Sequence, residues 1–254
     1  MIVILSPSKT MGSLIPKHHQ KLTVPECLEF SEAIVAILKK KSPTQLSKLM
    51  KINPQLAQLT FERFQQWQQP FHEENSTPAA FSYIGEAFRG LDAYSMTDTD
   101  LSFAQDHLRI ISGLYGVLRP LDLVMPYRLE MALQLAPGKS KSLYEYWRRT
   151  ISDSLGKALV HQNDDILINL ASLEYSKSID ANALKARIIT PVFKEYKNNK
   201  PVTVTIYAKK ARGLMARFII QNQLKLPDEL KLFDQEGYYY THPLSTETEM
   251  VFTR

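Results

Sequence analysis

Short runs of β-branched and apolar residues alternate along this chain with segments of helical periodicity, and this alternation constrains the fold more than any other feature. Runs such as IVIL and ILINL are typical of strands. We predict strands over 2–5, 109–111, 166–170, 188–193, 202–207 and 249–253. Apolar residues spaced three and four apart predict helices over 26–41, 43–50, 54–67, 101–108, 142–161, 208–223 and 227–231. Such alternation predicts an α/β or α+β protein, with a mixed sheet flanked by helices.

The composition is that of a globular protein. The chain has 254 residues, of which 44% are hydrophobic and 22% charged, enough to build one large domain or two small ones. The polar stretch HEENSTP at 72–78 is more typical of a surface loop than of a domain boundary. No apolar run approaches the roughly 18 residues of a membrane span. Cys27 is the single cysteine, which agrees with a reducing compartment, so we expect a cytoplasmic protein without a membrane partner.

The net charge favours a polyanionic partner. The chain carries a formal charge of +5 and a pI near 9.1, which is moderately basic. A concentrated source of this charge is the segment YAKKARGLMARFII at 207–220, which contains no acidic residue. The solvated face of a surface helix normally mixes both signs of charge. We therefore consider this segment a candidate surface for binding an anion.

The period of the sequence changes inside this segment. VTVTIY alternates like a strand, whereas from position 208 the apolar residues follow the spacing of an amphipathic helix. Lys209, Lys210 and Arg217 then share the polar side, with Arg212 flanking them. In a helix that begins at 208, both lysines lie in the first turn, where the helix dipole favours an anion. The alternative is a solvated basic face whose lysine stems cover the edge of the core.

Between the cations of this helix lie two small residues, Gly213 and Ala216. Small side chains leave the backbone accessible. This arrangement suits a large anion such as a sugar-phosphate chain.

A second segment, SGLYGVLRPLDLVMPYRLEM at 112–131, follows a predicted strand. Loops at strand ends commonly carry function because the sheet positions them rigidly. Several of its side chains suit a nucleic acid: Arg119 and Arg128 for phosphates, Tyr115 and Tyr127 for stacking on bases, and Asp122 and Glu130 for orienting the arginines. The alternative is a structural loop whose charges pair with one another.

Two further segments also follow predicted strands. SPSKTMG at 6–12 ends in Lys9 and Thr10 like a phosphate-binding loop, but it lacks the glycines of a nucleotide-triphosphate site. INLASLEYS at 168–176 carries Ser172 and Glu174 after its strand. If these loops share one edge of the sheet, they and the 207–220 helix are expected to line a single cleft.

The segment 36–67 predicts short helices joined by tight turns. Ser42-Pro43 and Asn53-Pro54 are helix start signals. With Lys48 and Lys51 among its lysines, the segment is similar to helix-hairpin-helix units that hold DNA backbones. The alternative is a plain helical pair with a lysine-rich exposed face.

Taken together, the motifs SPSKTM, SGLYGVLRPLDLVMPYRLEM, INLASLEY and YAKKARGLMARFII resemble the peroxide-stress protein YaaA family (UPF0246), in order and spacing, over nearly the whole chain. The resemblance implies a cytoplasmic bacterial protein that forms a single compact domain over 1–254. It also implies a positively charged cleft, a helix-hairpin-helix-like element that maps to about 36–67, DNA binding, and a role in limiting damage from peroxide and free iron. It implies no established catalytic residue.

The sequence predicts neither a metal site nor a cofactor. The six histidines lack the spacing of metal ligands; they are His18, His19, His72, His107, His161 and His242. One cysteine supplies no iron–sulfur framework. Protection from iron is therefore expected to operate through DNA. Cys27 is predicted to be an inert helix residue, with a peroxide-sensing thiol as the alternative.

Two main classes of function stay open. In the first, the chain binds double-stranded or distorted DNA through its phosphates, without sequence specificity. In the second, it is an enzyme acting on a nucleotide or a nucleic-acid base, with Lys9 and Arg128 holding phosphate and Glu130 or Glu174 acting as general acid or base. The carboxylates separate the two classes, because backbone binding does not require them. A third class is a protein-interaction factor, but the sequence shows no exposed apolar stripe of the kind that such a factor would use.

Overall fold

A mixed sheet forms the centre of the protein in the computed structural model, which describes residues 1–12 and 21–254. Its strands, together with four short ones outside it, are β1 (Ile2–Leu5), β2 (Thr10–Met11), β3 (Thr77–Pro78), β4 (Tyr83–Ile84), β5 (Leu108–Ser112), β6 (Gly116–Leu118), β7 (Leu123–Val124), β8 (Ile166–Leu170), β9 (Arg187–Lys197), β10 (Lys200–Val202), β11 (Tyr239–Tyr240) and β12 (Glu249–Thr253). The strand order is β11-β12-β9-β8-β1-β5-β6, and β10 pairs with β9. The central strands β5, β1, β8, β9 and β12 run parallel, whereas β6, β10 and β11 are antiparallel to their neighbours.

Helices surround the sheet. They are α1 (Leu28–Lys39), α2 (Pro43–Met50), α3 (Pro54–Gln66), α4 (Ala79–Ser82), α5 (Glu86–Leu91), α6 (Asp98–His107), α7 (Leu143–His161), α8 (Leu173–Ser176), α9 (Ala181–Leu184) and α10 (Thr205–Gln221). Both α7 and α10 pack against β1. All four residues of β1 are buried, so both faces of this central strand are covered. The result is a single compact α/β domain, in which the sequence pattern predicted the α/β class and the family resemblance implied the single domain.

Most of the predicted elements are confirmed. The strands over 2–5, 166–170 and 249–253 have the predicted bounds, and β5 and β9 contain the predicted runs at 109–111 and 188–193. The helix α2 has its predicted bounds, because Ser42 caps it through a capping box and Pro43 occupies its first turn. Residues 227–232 form a 3₁₀ helix. No helix in the described part of the chain is both long and apolar enough to cross a bilayer.

The predicted strand over 202–207 is wrong. The strand β10 ends at Val202, where it pairs with Glu195, and the helix α10 already begins at Thr205. The helix starts early because Ala208, Ala211 and other residues on its buried side pack into the core, and this packing overrides the local preference of β-branched residues for strands. Lys209 and Lys210 therefore lie in the second turn of the helix, and the argument that placed them at its N-terminus does not hold.

A close crossing of α5 and α10 gives the small residues a structural role. A Cβ added to Gly213 would lie 1.8 Å from the carbonyl oxygen of Ala87, and one added to Gly90 would lie 2.3 Å from that of Lys210. Ala216 is buried as well. The two helices thus approach backbone to backbone. The prediction that Gly213 and Ala216 expose the backbone to a sugar-phosphate chain is wrong, because helix packing covers both.

Candidate nucleic-acid interface

One edge of the parallel sheet collects the loops that the sequence singled out. In the register of the strands, Leu5 of β1 lies beside Leu170 of β8 and Ile110 of β5. Because parallel strands end at the same edge, the segments that follow β1, β8 and β5 all leave the sheet there. The predicted convergence of 6–12 and 168–176 therefore follows from strand register.

The first two of these loops and two helices line a pocket of about 330 Å³, which we call the narrow pocket. Its lining combines an apolar wall with hydroxyl groups and charges: Leu5, Ser6, Pro7, Ser8, Lys9, Thr10, Ile84, Gly85, Glu86, Ala87, Phe88, Leu170, Ser172, Glu174, Tyr175, Lys209 and Arg212. The predicted meeting of the two loops with the helix α10 is thus observed in one pocket. The close approach of α5 to α10 brings Ala87 and Phe88 to the same pocket as Lys209.

Hydrogen bonds hold the loops of the narrow pocket in place. The amide of Ser172 donates to Ser6 Oγ over 2.8 Å, and Ser6 Oγ donates to Ser172 Oγ over 3.3 Å. The hydroxyl of Ser8 donates to the carbonyl oxygen of Ile84, and the short strand β2 pairs with β4 just beyond. The loop after β1 is therefore connected both to the loop after β8 and to the strand that precedes α5.

Two cations of α10, Lys209 and Arg212, line the narrow pocket. Lys209 is exposed and Arg212 is partly buried. No residue that the structure describes forms a hydrogen bond or an ion pair with either of them. Burial lowers the pKa of the Arg212 guanidinium from its ordinary value. Arginine nevertheless keeps its charge in proteins, so the pocket contains a partly desolvated cation that no described residue pairs with.

The two carboxylates proposed for acid–base chemistry have different surroundings. Glu130 binds Lys9 over 2.7 Å through one oxygen and Arg128 over 2.9 Å through the other. Glu174 lines the narrow pocket and accepts a hydrogen bond from the amide of Ala132 over 3.3 Å. Glu130 is therefore engaged by two cations, whereas Glu174 has no cation partner within the described ranges.

A second pocket of about 600 Å³ adjoins the first, since Lys9 lines both; we call it the wide pocket. It is lined by Lys9, Lys48, Leu49, Met50, Lys51, Arg128, Glu130, Ala132, Leu133 and Gln134. The helices α2 and α3 are joined beside it by the turn Lys51–Ile52–Asn53, which contains no glycine. Lys51 itself adopts the left-handed conformation, with φ 52°. Assignment of this helix pair as a helix-hairpin-helix unit stays a prediction.

Sequence analysis missed Arg63 of α3. The guanidinium of Arg128 lies near enough to lower the pKa of Arg63, in addition to the larger effect of its burial. The Nε of Arg128 is buried and has no hydrogen-bond partner in the part of the chain that the structure describes. Two guanidiniums therefore lie close enough to interact, and among the described residues only that of Arg128 has an acidic partner. The sequence does not predict that Arg63 lies near Arg128, because the two residues are far apart in the chain and only the tertiary fold brings them together.

Three of the predicted nucleic-acid contacts lie outside both pockets and have acidic partners. Arg119 binds the buried Asp122 over 3.2 Å, as the alternative of an internally paired loop supposed. Arg217 binds Asp92 over 3.4 Å and also donates to backbone carbonyls at the end of α5. Lys210 forms an ion pair with Glu236. These three cations are thus neutralised locally.

Tyr115 and Tyr127, the predicted stacking residues, lie in the core, with exposed fractions of 0% and 3%. The hydroxyl of Tyr115 accepts hydrogen bonds from Trp67 Nε1 over 3.0 Å and from the amide of Met125 over 3.1 Å. The hydroxyl of Tyr127 lies between those of Tyr83 and Ser112. Neither ring has a face open to a base, so the predicted stacking is not retained. The sequence gives no sign of this burial, because a tyrosine in a loop can face either way.

No group of three or more metal-ligating side chains is assembled among residues 1–12 and 21–254. His18 and His19 lie outside the described residues. Cys27 is buried, and burial together with nearby carboxylates raises the pKa of its thiol to about 11. It is therefore a protonated thiol at neutral pH, which disfavours reaction with peroxide.

Comparison with known proteins gives a consistent picture. The family described as peroxide stress protein YaaA matches residues 1–244. A UPF0246 protein of Saccharophagus degradans is 46% identical over 254 residues, covering 100% of this chain and 99% of that protein. These matches support a role in peroxide stress. The chain belongs to the peroxide stress protein YaaA family.

Proposed function

We propose that this protein binds DNA, double-stranded or distorted, along the phosphate backbone and without sequence specificity, and that it thereby limits damage from peroxide and free iron in the cytoplasm. Membership of the peroxide-stress family supports the physiological part of this proposal. The observation that carries the binding part is the junction of the narrow and wide pockets at Lys9. Around that junction lie further cations from separate parts of the chain: Lys48, Lys51, Arg128, Lys209 and Arg212.

These cations have few acidic partners within the described ranges, which favours binding of a polyanion. Each phosphate that a protein neutralises releases condensed counter-ions, which drives binding at low salt. Lys209 and Arg212 have no acidic partner among the described residues. Lys9 and Arg128 share one carboxylate, that of Glu130. In this region the described cations exceed the acids that face them, and a phosphodiester chain supplies the missing negative charge.

The helix pair α2–α3 extends the proposed interface. Lys48 lies in the last turn of α2 and Lys51 in the turn that follows, and both line the wide pocket. Flexible lysines on a rigid helix pair suit contacts to phosphates, which position a protein on DNA without reading its sequence. We therefore assign to this pair the role that helix-hairpin-helix units have on DNA backbones.

The test is the affinity of the purified protein for labelled duplexes of unrelated sequence, and for duplexes with a mismatched bubble, as a function of salt. We expect similar affinities for all fully paired sequences and a steep loss of affinity with rising salt. Absence of binding at low salt would refute the proposal. A preference of about a thousandfold or more for one sequence would refute the backbone mode, because specific readout gives ratios of that size.

A second candidate function is catalysis on a nucleotide or a nucleic-acid base. It is favoured by one observation: carboxylates lie within the proposed interface, where a backbone binder has no need of them. Glu174 lines the narrow pocket and has no cation partner within residues 1–12 and 21–254, and Glu130 contacts Lys9 at the border of the pocket. A carboxylate that no described cation neutralises is suited to take a proton from a bound base or from water. The test is incubation with nucleotides and with DNA, followed by mass spectrometry, for the native protein and for Glu174→Gln and Glu130→Gln. Product formed by the native protein and lost in one variant supports catalysis, and no product from any substrate class counts against it.

A further inference from the structure

The cations of α10 fall into two groups that the sequence does not distinguish. Lys210 and Arg217 form ion pairs with Glu236 and Asp92. Lys209 and Arg212 lie on the same helix, line the narrow pocket, and have no such partner in the described part of the chain. Arg212 is also partly buried, and burial disfavours its charged form. A guanidinium in this state is destabilising unless an anion joins it, so its placement needs a functional reason.

The lining of the narrow pocket also has an apolar part. Pro7 and Ile84 line the narrow pocket, and 37% of Ile84 is exposed. Ser172 and Thr10 contribute hydroxyl groups to the same lining. A ligand with a flat apolar part and one strongly anionic end matches a pocket with an apolar part and a cationic part. The flat part packs on Ile84, and the anionic end binds the guanidinium of Arg212. The volume of about 330 Å³ lies at the small end of the range for small-molecule sites.

We propose that the narrow pocket binds a single nucleotide unit, with Arg212 as the anchor for its phosphate, Lys209 as a second cation at the phosphate, and Pro7 and Ile84 as the wall against which the base packs. This inference rests on the proposed nucleic-acid function and narrows it. The wide pocket receives the flanking backbone, while the narrow pocket receives one nucleotide that has left the stack or ends a strand. Such a nucleotide can be extruded from a duplex at a modest energetic cost, which is smallest where pairing is already disturbed. Glu174 then lies beside the bound unit as a hydrogen-bond acceptor for the base or the sugar.

Deoxyadenosine 5′-monophosphate is the probe, with deoxyadenosine and inorganic phosphate as partial ligands, and binding is measured by titration calorimetry on the full chain. The native protein is expected to bind the monophosphate more tightly than either partial ligand. Arg212→Met is expected to weaken binding of the monophosphate about 10- to 100-fold. A loss of this size is expected when a charge-assisted hydrogen bond is removed. Lys210→Met is the matched control on the same helix, and it is expected to bind as the native protein does.

Thermal unfolding separates an anchoring role from a structural one. Because Arg212 has no hydrogen-bond or ion-pair partner among the described residues, Arg212→Met is expected to keep or raise the melting temperature while it weakens binding. Equal binding by Arg212→Met and the native protein overturns the inference. If Arg212→Met fails to fold, Arg212→Lys keeps the charge but loses the planar fork, and binding of the monophosphate as tight as in the native protein then overturns it.

Two outcomes separate this inference from the proposed function. A protein that retains duplex DNA but does not bind the monophosphate overturns the nucleotide pocket alone. A protein that binds the monophosphate through Arg212 but retains no DNA overturns the backbone-binding proposal alone.

Discussion

The ammonium group of Lys9 lies 2.7 Å from a carboxylate oxygen of Glu130, whose other oxygen binds Arg128 over 2.9 Å. Lys9 belongs to both pockets, so this ion pair occupies the centre of the proposed interface. The carboxylate holds the two cations in place, and it also offsets part of the charge that they offer to phosphate.

Replacing Glu130 by glutamine is therefore expected to strengthen DNA binding. The variant keeps the shape of the side chain and removes the charge that competes with phosphate. We expect affinity at low salt to rise about two- to fivefold, which corresponds to an ion pair worth up to about 1 kcal/mol. Fluorescence anisotropy with a labelled duplex measures the change. A fall in affinity, in a variant whose melting curve is native-like, would show that Glu130 acts mainly by positioning Lys9 and Arg128.

Replacing Gly213 by alanine is expected to destabilise the fold. The added methyl group would lie 1.8 Å from the carbonyl oxygen of Ala87, so α5 and α10 must separate. Overpacking of this kind costs about 1 to 3 kcal/mol or more, and the free energy of unfolding in urea measures it. Gly156→Ala is the control, because Leu184 is 3.8 Å from the added methyl group and alanine favours the interior of α7. Equal stability of the two variants would contradict the close crossing of α5 and α10.

Replacing Tyr115 by phenylalanine tests its place in the core. Loss of the hydroxyl leaves Trp67 Nε1 and the amide of Met125 without their buried acceptor. We expect the free energy of unfolding to fall by about 1 to 3 kcal/mol. The affinity of the folded protein for DNA is expected to stay unchanged, since the ring does not reach the surface. Unchanged stability together with weaker DNA binding would restore the stacking role.

Because of the Cys27 thiol, the free energy of unfolding is expected to fall at alkaline pH. Its pKa is raised from 9.0 to about 11 in the folded protein, so the native state keeps the proton that the unfolded chain loses. Its contribution is fully present below pH 9 and is lost as the pH rises towards 11, by an amount on the order of 2 kcal/mol. Urea unfolding of the native protein and of Cys27→Ala at successive pH values measures this difference. A difference between them that does not change with pH would contradict the raised pKa, and rapid alkylation of the native thiol at neutral pH would contradict its burial.

The sequence predicts the sheet well because its signals there are local. β1 and β8 are short, apolar and fully formed at their predicted bounds, and the parallel register that aligns Leu5 with Leu170 then determines which loops meet. The start of α10 is a different case. Val202 to Tyr207 alternates like a strand, but a helix begins within this run, at Thr205, and packs its buried side, from Ala208 onwards, into the core. The partner of that packing is remote in sequence, so no local pattern reveals it.

The sequence predicts which cations occur in the candidate site, but it does not predict which of them form ion pairs. The basic segment at 207–220 contains four cations that its sequence does not distinguish: Lys209, Lys210, Arg212 and Arg217. The structure separates them because, among these four and within the described residues, only Lys210 and Arg217 have acidic partners, Glu236 and Asp92 from distant segments. Which cation stays free for a ligand is thus a property of the tertiary fold.

The most direct measurement compares two variants that lose the same charge at different places. The first is Lys48→Gln/Lys51→Gln/Lys209→Gln, whose positions line the two pockets. The second is Arg149→Gln/Lys210→Gln/Lys231→Gln, whose cations pair with Asp153, Glu236 and Asp228. We predict that the slope of log affinity against log salt becomes shallower in the first variant, by up to about 0.9 per lost phosphate contact, and stays close to native in the second. Equal slopes in the two variants would contradict the claim that these pockets hold the DNA backbone.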